Sequence, residues 1–259
     1  MILLGLGFTT RRLARRLLLR RVPVQAVARD PSRFCDLASI GLRITELSLA
    51  SAAPLSPNSV IVHTIPPLLL EENNHIRRLI SGLNPRRVIY ISSTSIYGKL
   101  ILVDENSTVE PAEEKGRQRL EEEMWLVSQP WSSLIIRPAA IYGPGRGIHV
   151  RLRDGRAPRS APAGVVSRIH VDDLAAILEA GVFSDLEGAW PAADHQPCST
   201  AAISDWCTEL LRLGSSDRRE EPIRMAGRSV DGSAIRERLA IMSAYPGYTA
   251  GILASLAEA

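Results

Sequence analysis

The 259-residue chain has only three cysteines, Cys35, Cys198 and Cys207. Their number is odd, and no spacing between them matches a metal or redox motif. They read as free thiols of a reducing cytoplasm, not as a disulfide framework. The five histidines, His63, His75, His149, His170 and His195, include no pair at metal-ligand spacing, which argues against a metal site. No apolar run approaches the length needed to cross a bilayer, so no membrane partner is expected. The apolar start, Met1 to Phe8, carries its charges after it instead of before it, the wrong order for a signal peptide. Internal repeats and low-complexity segments are missing too. Charge of one sign is scarce: 31 Lys and Arg against 28 Asp and Glu leave a formal net charge of +3. The dense arginine run from Arg11 to Arg21 has no aromatic residue interleaved with it, so it reads as a solvated helix face and no nucleic-acid partner is expected.

What is present is an ordinary globular composition, 45% hydrophobic and 23% charged. Short apolar strands alternate with helical stretches, the pattern of a parallel sheet covered on both faces. Strands are expected at 1–4, 24–28, within 41–47, at 60–65, 87–92 and 133–138. Helices are expected from Gly7 onward, where Leu13, Leu17 and Leu18 form an apolar stripe, and at 31–40, 68–82, 110–128 and 172–181. The Gly/Pro/Arg-rich stretch 143–164 cannot be regular throughout. The fold class is α/β, a Rossmann-type doubly wound parallel sheet with a small C-terminal substrate lobe. Residues 1–145 and 165–193 form the dinucleotide-binding part, and 146–164 with 194–259 form the lobe.

The first chemical signal is Gly5-Leu6-Gly7-Phe8-Thr9-Thr10, directly between a strand and a helix. The first glycine permits the tight turn, and the second lets the backbone approach a pyrophosphate. The helix N-terminus offers unpaired N–H groups to the anion. Thr10 replaces the usual third glycine; its hydroxyl can cap the helix or bond a phosphate oxygen, with looser helix–strand packing. Strand two ends Val27-Ala28-Arg29-Asp30. Arg29 suits a 2′-phosphate and favours NADP, with Arg11 or Arg12 as a second cation; if Asp30 serves the ribose instead, the cofactor is NAD. Thr64 and Ile65, at the end of strand four, complete this face.

Three further stretches resemble motifs of the extended short-chain dehydrogenase/reductase family. They are Ile91-Ser92-Ser93-Thr94-Ser95-Ile96-Tyr97-Gly98, Arg137-Pro138-Ala139-Ala140-Ile141-Tyr142-Gly143-Pro144-Gly145-Arg146, and Arg168-Ile169-His170-Val171-Asp172-Asp173-Leu174. They stand in the family's order, and the tail Tyr245-Pro246-Gly247-Tyr248 with Gly251 resembles the end of an atypical, epimerase/dehydratase-like subgroup. The resemblance implies that Ser93 is the catalytic hydroxyl and that Thr94 and Ser95 line the substrate pocket. It implies that Pro138, Ala139 and Ile141 pass beside the nicotinamide. Arg146 and His170 face the substrate cleft or lock the lobe to the core. It also implies a homodimer through the helices at 68–82 and 110–128.

The resemblance breaks at the proton-transfer pair. The family has a tyrosine followed four residues later by a lysine. Here Lys115 and Arg119 hold those places, while the flanking Gly116, Leu120 and Glu123 survive. Lys115 can replace the tyrosine if it is buried beside Arg119, since desolvation and a like charge both lower its pKa. Tyr97 or Tyr142 are the other candidates. Asp104 and Glu105, in a polar loop, read as turn residues. Two main readings follow. One is an NADP-dependent oxidoreductase or epimerase-type enzyme on a small polar substrate, with a nucleotide sugar as the family default. The other is a non-catalytic NADP(H)-binding sensor or scaffold.

Overall fold

The structure, a computed structural model, describes residues 1–67, 70–156, 164–213 and 227–258. β1 (Ile2–Leu4), β2 (Gln25–Ala28), β3 (Arg43–Glu46), β4 (Val60–His63) and β5 (Arg87–Ile91) alternate with α1 (Phe8–Leu19), α2 (Cys35–Ser39) and α3 (Leu70–Leu83). Then come β6 (Leu102–Val103), α4 (Glu114–Val127), β7 (Ser132–Pro138), β8 (Ala140–Tyr142) and α5 (Ile148–Arg153). The remainder holds β9 (Val165–Val166), β10 (Arg168–His170), α6 (Val171–Val182) and β11 (Gly188–Ala192). It ends with β12 (Cys198–Ser199), α7 (Thr200–Leu210), β13 (Ser229–Val230), α8 (Ser233–Arg238) and α9 (Tyr248–Ala257).

The central sheet is parallel and runs β11-β7-β5-β4-β1-β2-β3. β1, β4 and β5 are buried at every residue, as strands covered on both faces must be. Strand order reverses between β1 and β4, so the crevice outside their C-terminal ends is the topological switch point, where ligands of such sheets bind. On α1, Leu13, Ala14 and Leu17 bury one helical face. The arginines opposite are spent on ion pairs within the chain: Arg11 and Arg15 with Asp36, Arg12 with Asp172 and Glu258, Arg16 and Arg20 with Glu179. Arg11 and Arg12 are therefore not the spare cations expected beside a 2′-phosphate.

Three elements differ from expectation. The helix expected from Glu110 starts at Glu114, because Pro111 disfavours helical geometry at Glu110, whose N–H donates to the Ile96 carbonyl instead (3.0 Å). The Gly/Pro-rich stretch contains α5, and β11 adds an unexpected seventh strand. β11 carries Pro191, which an edge strand tolerates because it pairs on one side only. Among the described residues no helix is long and apolar enough to cross a membrane, and no His/Cys/Asp/Glu group could hold a metal.

Candidate active site

The turn after β1 is built for an anion. Gly5 has φ +91°, and a Cβ there would lie 2.8 Å from Thr64 Oγ1 and 2.9 Å from Ile65 Cγ1, so only glycine fits. Thr64 in turn donates to the Gly5 carbonyl (3.0 Å). Beside Gly7 lies open space: a Cβ there would meet nothing within 4 Å. The first intrahelical bond of α1 runs from the Arg11 N–H to the Gly7 carbonyl (2.9 Å), leaving the amides of Phe8, Thr9 and Thr10 without a helical acceptor. These features fit a dinucleotide pyrophosphate. Thr10 does not bond a phosphate. Its Oγ1 accepts from the Gly7 N–H and donates to the Gly5 carbonyl (2.8 Å each), and it is 1% exposed. The threonine closes the turn from inside, in the capping role expected of its hydroxyl.

At the end of β2, Asp30 caps the following 3-10 turn. Its Oδ1 accepts from the Ser32 N–H (3.1 Å) and the Ser32 hydroxyl (2.5 Å). Arg29 is left exposed. Pro138 and Ala139 are buried and Ile141 half-buried, at the end of β7 and in β8.

Around β5 and α4 the structure separates candidates that the sequence grouped. Ser93 is half-buried, and its Oγ accepts from the Ser95 N–H (3.1 Å), which caps a 3-10 turn and leaves the hydroxyl proton free to donate. Ser95 Oγ is buried without a partner, and the Thr94 carbonyl accepts from Arg228. Gly116 survives because a Cβ there would lie 2.9 Å from the Ser95 carbonyl oxygen. Lys115 is exposed, so the burial beside Arg119 that its expected role required is absent. Arg119 is half-buried and donates to the Ile91 carbonyl (3.1 Å), which sets a cation at the end of β5.

Both alternative tyrosines hold their hydroxyls in bonds within the chain. Tyr97 is fully buried and accepts from Arg137 Nη1 (3.1 Å), while Arg137 grips Glu123 with two bonds (2.6 and 3.2 Å). Burial pushes the Tyr97 hydroxyl up. Tyr142 donates to the Gly247 carbonyl (3.3 Å) and is likewise pushed up by burial. His170 is 1% exposed. Its Nδ1 accepts from the Asp172 N–H (3.2 Å), its Nε2 faces Ser255 Oγ (3.2 Å), and its ring packs on Tyr142 and Tyr245. Of its two expected roles it takes the second, locking α9 to the core. Asp104 accepts from the Asn106 N–H and the Ser107 hydroxyl, a turn residue as read.

Beyond β8 lies a cavity of about 630 Å³ between α5, α7, α9 and the β8–β10 pair. Ala140 and Ile141 form its inner end, and Arg146 stands at its rim. The Arg146 guanidinium lies 5.4 Å from the Phe8 ring centroid, so the rim abuts the first residue of α1. His149 and Arg168 also line this cavity, and the sequence reading missed both as site residues. The only sequence signal for them was the Gly145/Gly147 pair around Arg146, which has positive φ at both glycines and turns the chain sharply into α5.

No family model matches the chain. A 3-diazoavenalumate denitrifying reductase from a Streptomyces species is 25% identical, over 79% of this chain and 78% of that protein. A conserved protein of unknown function from Silicibacter pomeroyi aligns at 25% identity with a TM-score of 0.81, covering 100% of this chain and 99% of that one. A putative NAD-dependent epimerase/dehydratase from Methylobacillus flagellatus gives 23% identity and a TM-score of 0.78, covering 99% of this chain and 97% of that one. Fold and comparisons together show a Rossmann-type doubly wound α/β chain. The structural likeness to these proteins extends along essentially the whole chain.

Proposed function

We propose that the chain is an NADP-preferring reductase acting on a small polar substrate. The observation that carries the cofactor preference is at the end of β2. Ser32 holds Oδ1 of the Asp30 carboxylate in a cap, and the Arg29 guanidinium beside it is exposed. A free donor for a 2′-phosphate thus stands next to a carboxylate engaged through one oxygen in the following turn. The reductase relative supports the direction of reaction and weighs against a cofactor sensor without catalysis.

When bound, the nicotinamide supplies or accepts a hydride. The chain's residues do the rest. The amides of Phe8 to Thr10 hold the pyrophosphate, and the β7–β8 segment walls the nicotinamide side. Arg119 keeps a positive charge at the end of β5. Ser93 orients a substrate acceptor through its free hydroxyl proton. No tyrosine or buried lysine on α4 delivers a proton, so the substrates favoured are those whose reduction needs none from that helix. Titration of the purified protein with NADPH and NADH tests the reading. Tighter NADPH binding is expected. Equal affinities would restore the NAD reading, and no binding of either would end the enzyme reading.

A further inference from the structure

Two arginines on the cavity beyond β8, Arg168 and Arg146, have no carboxylate at ion-pair distance among the described residues. Arg168 is 7% exposed and donates only to neutral groups: the Val166 carbonyl (2.8 Å), the Cys198 carbonyl (3.1 Å) and Thr200 Oγ1 (3.0 Å). Among the described residues no carboxylate lies within ion-pair distance of it. A buried cation without a counter-ion is costly, and an anion nearby relieves the cost. His149, 2% exposed, lines the same cavity with neither ring nitrogen hydrogen-bonded. Buried polar atoms nearly always have partners, so an orphaned imidazole on a cavity wall points to a ligand. Arg146 at the rim has an aromatic ring beneath it and no carboxylate partner among the described residues.

The rest of the lining decides what kind of anion. Ile141, Ile203 and Ile252 are aliphatic, and Tyr142 and Tyr248 are aromatic. Among the described residues no Asp, Glu, Asn or Gln lines the cavity. The lining side chains that can accept a sugar's hydroxyl protons are few, Thr200, Tyr142, Tyr248 and one His149 nitrogen, whereas the arginines suit a carboxylate. The volume, about 630 Å³, is that of a small-molecule site.

We infer that this cavity seats an organic acid with an apolar body, its carboxylate held by Arg168, His149 and Arg146, and not a nucleotide sugar. The cavity stands on its own geometry; only the naming of its ligand as the substrate rests on the reductase reading. Ala140 and Ile141 place that ligand against the segment beside which the nicotinamide is expected.

The test is calorimetric, without any nucleotide present. The probes are trans-cinnamate, its neutral counterpart trans-cinnamamide, and UDP-glucose. Cinnamate is expected to bind at least tenfold more tightly than the amide. Arg146→Ala, at an exposed position that folding does not need, is expected to weaken cinnamate by roughly tenfold, in line with one charged hydrogen bond. Arg168→Met is expected to weaken it further; if that variant does not fold, the Arg146→Ala result and the acid/amide ratio decide alone. Equal binding of acid and amide, an unaffected Arg146→Ala variant, or binding of UDP-glucose alone would each overturn the inference. A parallel NADPH titration separates the two claims. NADPH binding without cinnamate binding refutes the acid site and spares the reductase reading. Cinnamate binding without NADPH binding does the reverse.

Discussion

Replacing Asp194 with asparagine is expected to flatten the dependence of stability on pH. Asp194 follows β11 and is 3% exposed. Its Oδ1 accepts from the Gln196 N–H (3.2 Å), and its Oδ2 has no partner. Burial raises its pKa from 3.8 to about 7, against the lowering influence of Arg168 and Arg236 and with Asp173 adding to the rise. The native carboxyl therefore holds its proton more tightly than the unfolded one. Its contribution to stability is full below pH 3.8 and is lost as pH rises through about 7. With those two values, the loss between pH 5 and pH 8 is roughly 2–3 kcal/mol. Asparagine cannot ionise, so the difference in unfolding free energy between the two proteins should change by that amount over this interval. Urea denaturation at a series of pH values measures it. A constant difference from pH 5 to pH 8 would refute the reasoning, because it would mean that Asp194 ionises equally in both states.

Three other substitutions follow from the geometry. Gly5→Ala combines a positive φ with crowding against Thr64 and Ile65, and should cost about 2–4 kcal/mol in urea denaturation. Tyr97→Phe removes the acceptor for one Arg137 N–H in a buried pair, and should cost about 1–3 kcal/mol while leaving NADPH affinity unchanged. Lys115→Met, at an exposed site, should shift stability by no more than about 0.5 kcal/mol and leave the pH profile of any reductase activity unmoved. A displaced profile would return Lys115 to the chemistry.

Legibility of the site in the sequence followed the range of the interactions. The Gly5–Gly7 turn and the end of β2 are local, and chain order alone placed them together. The capping use of Thr10 was likewise available from a hydroxyl three residues into a helix. The cap that Asp30 forms with Ser32 was not, since an acidic residue at the end of β2 serves a turn and a ribose equally well by its position alone. Tyr97 looked free because its captors, Arg137 and Glu123, stand on β7 and α4, 40 and 26 positions away. Lys115 looked like a replacement because its helix position was right; its exposure is a product of packing. Arg168 and His149 gave no signal as a pair, because β10 and α5 meet only when the lobe closes over β8. β11 escaped notice for a different reason: Pro191 argues against a strand everywhere except at an edge.

The claim that most needs a direct test is the choice of cofactor at Arg29. NADPH and NADH titrations of the native protein and of Arg29→Asp, monitored by nucleotide fluorescence, make that test. One or two charge-assisted bonds to a 2′-phosphate predict a preference for NADPH of roughly ten- to a hundredfold, which the substitution abolishes or reverses. An unchanged ratio in Arg29→Asp would contradict the account.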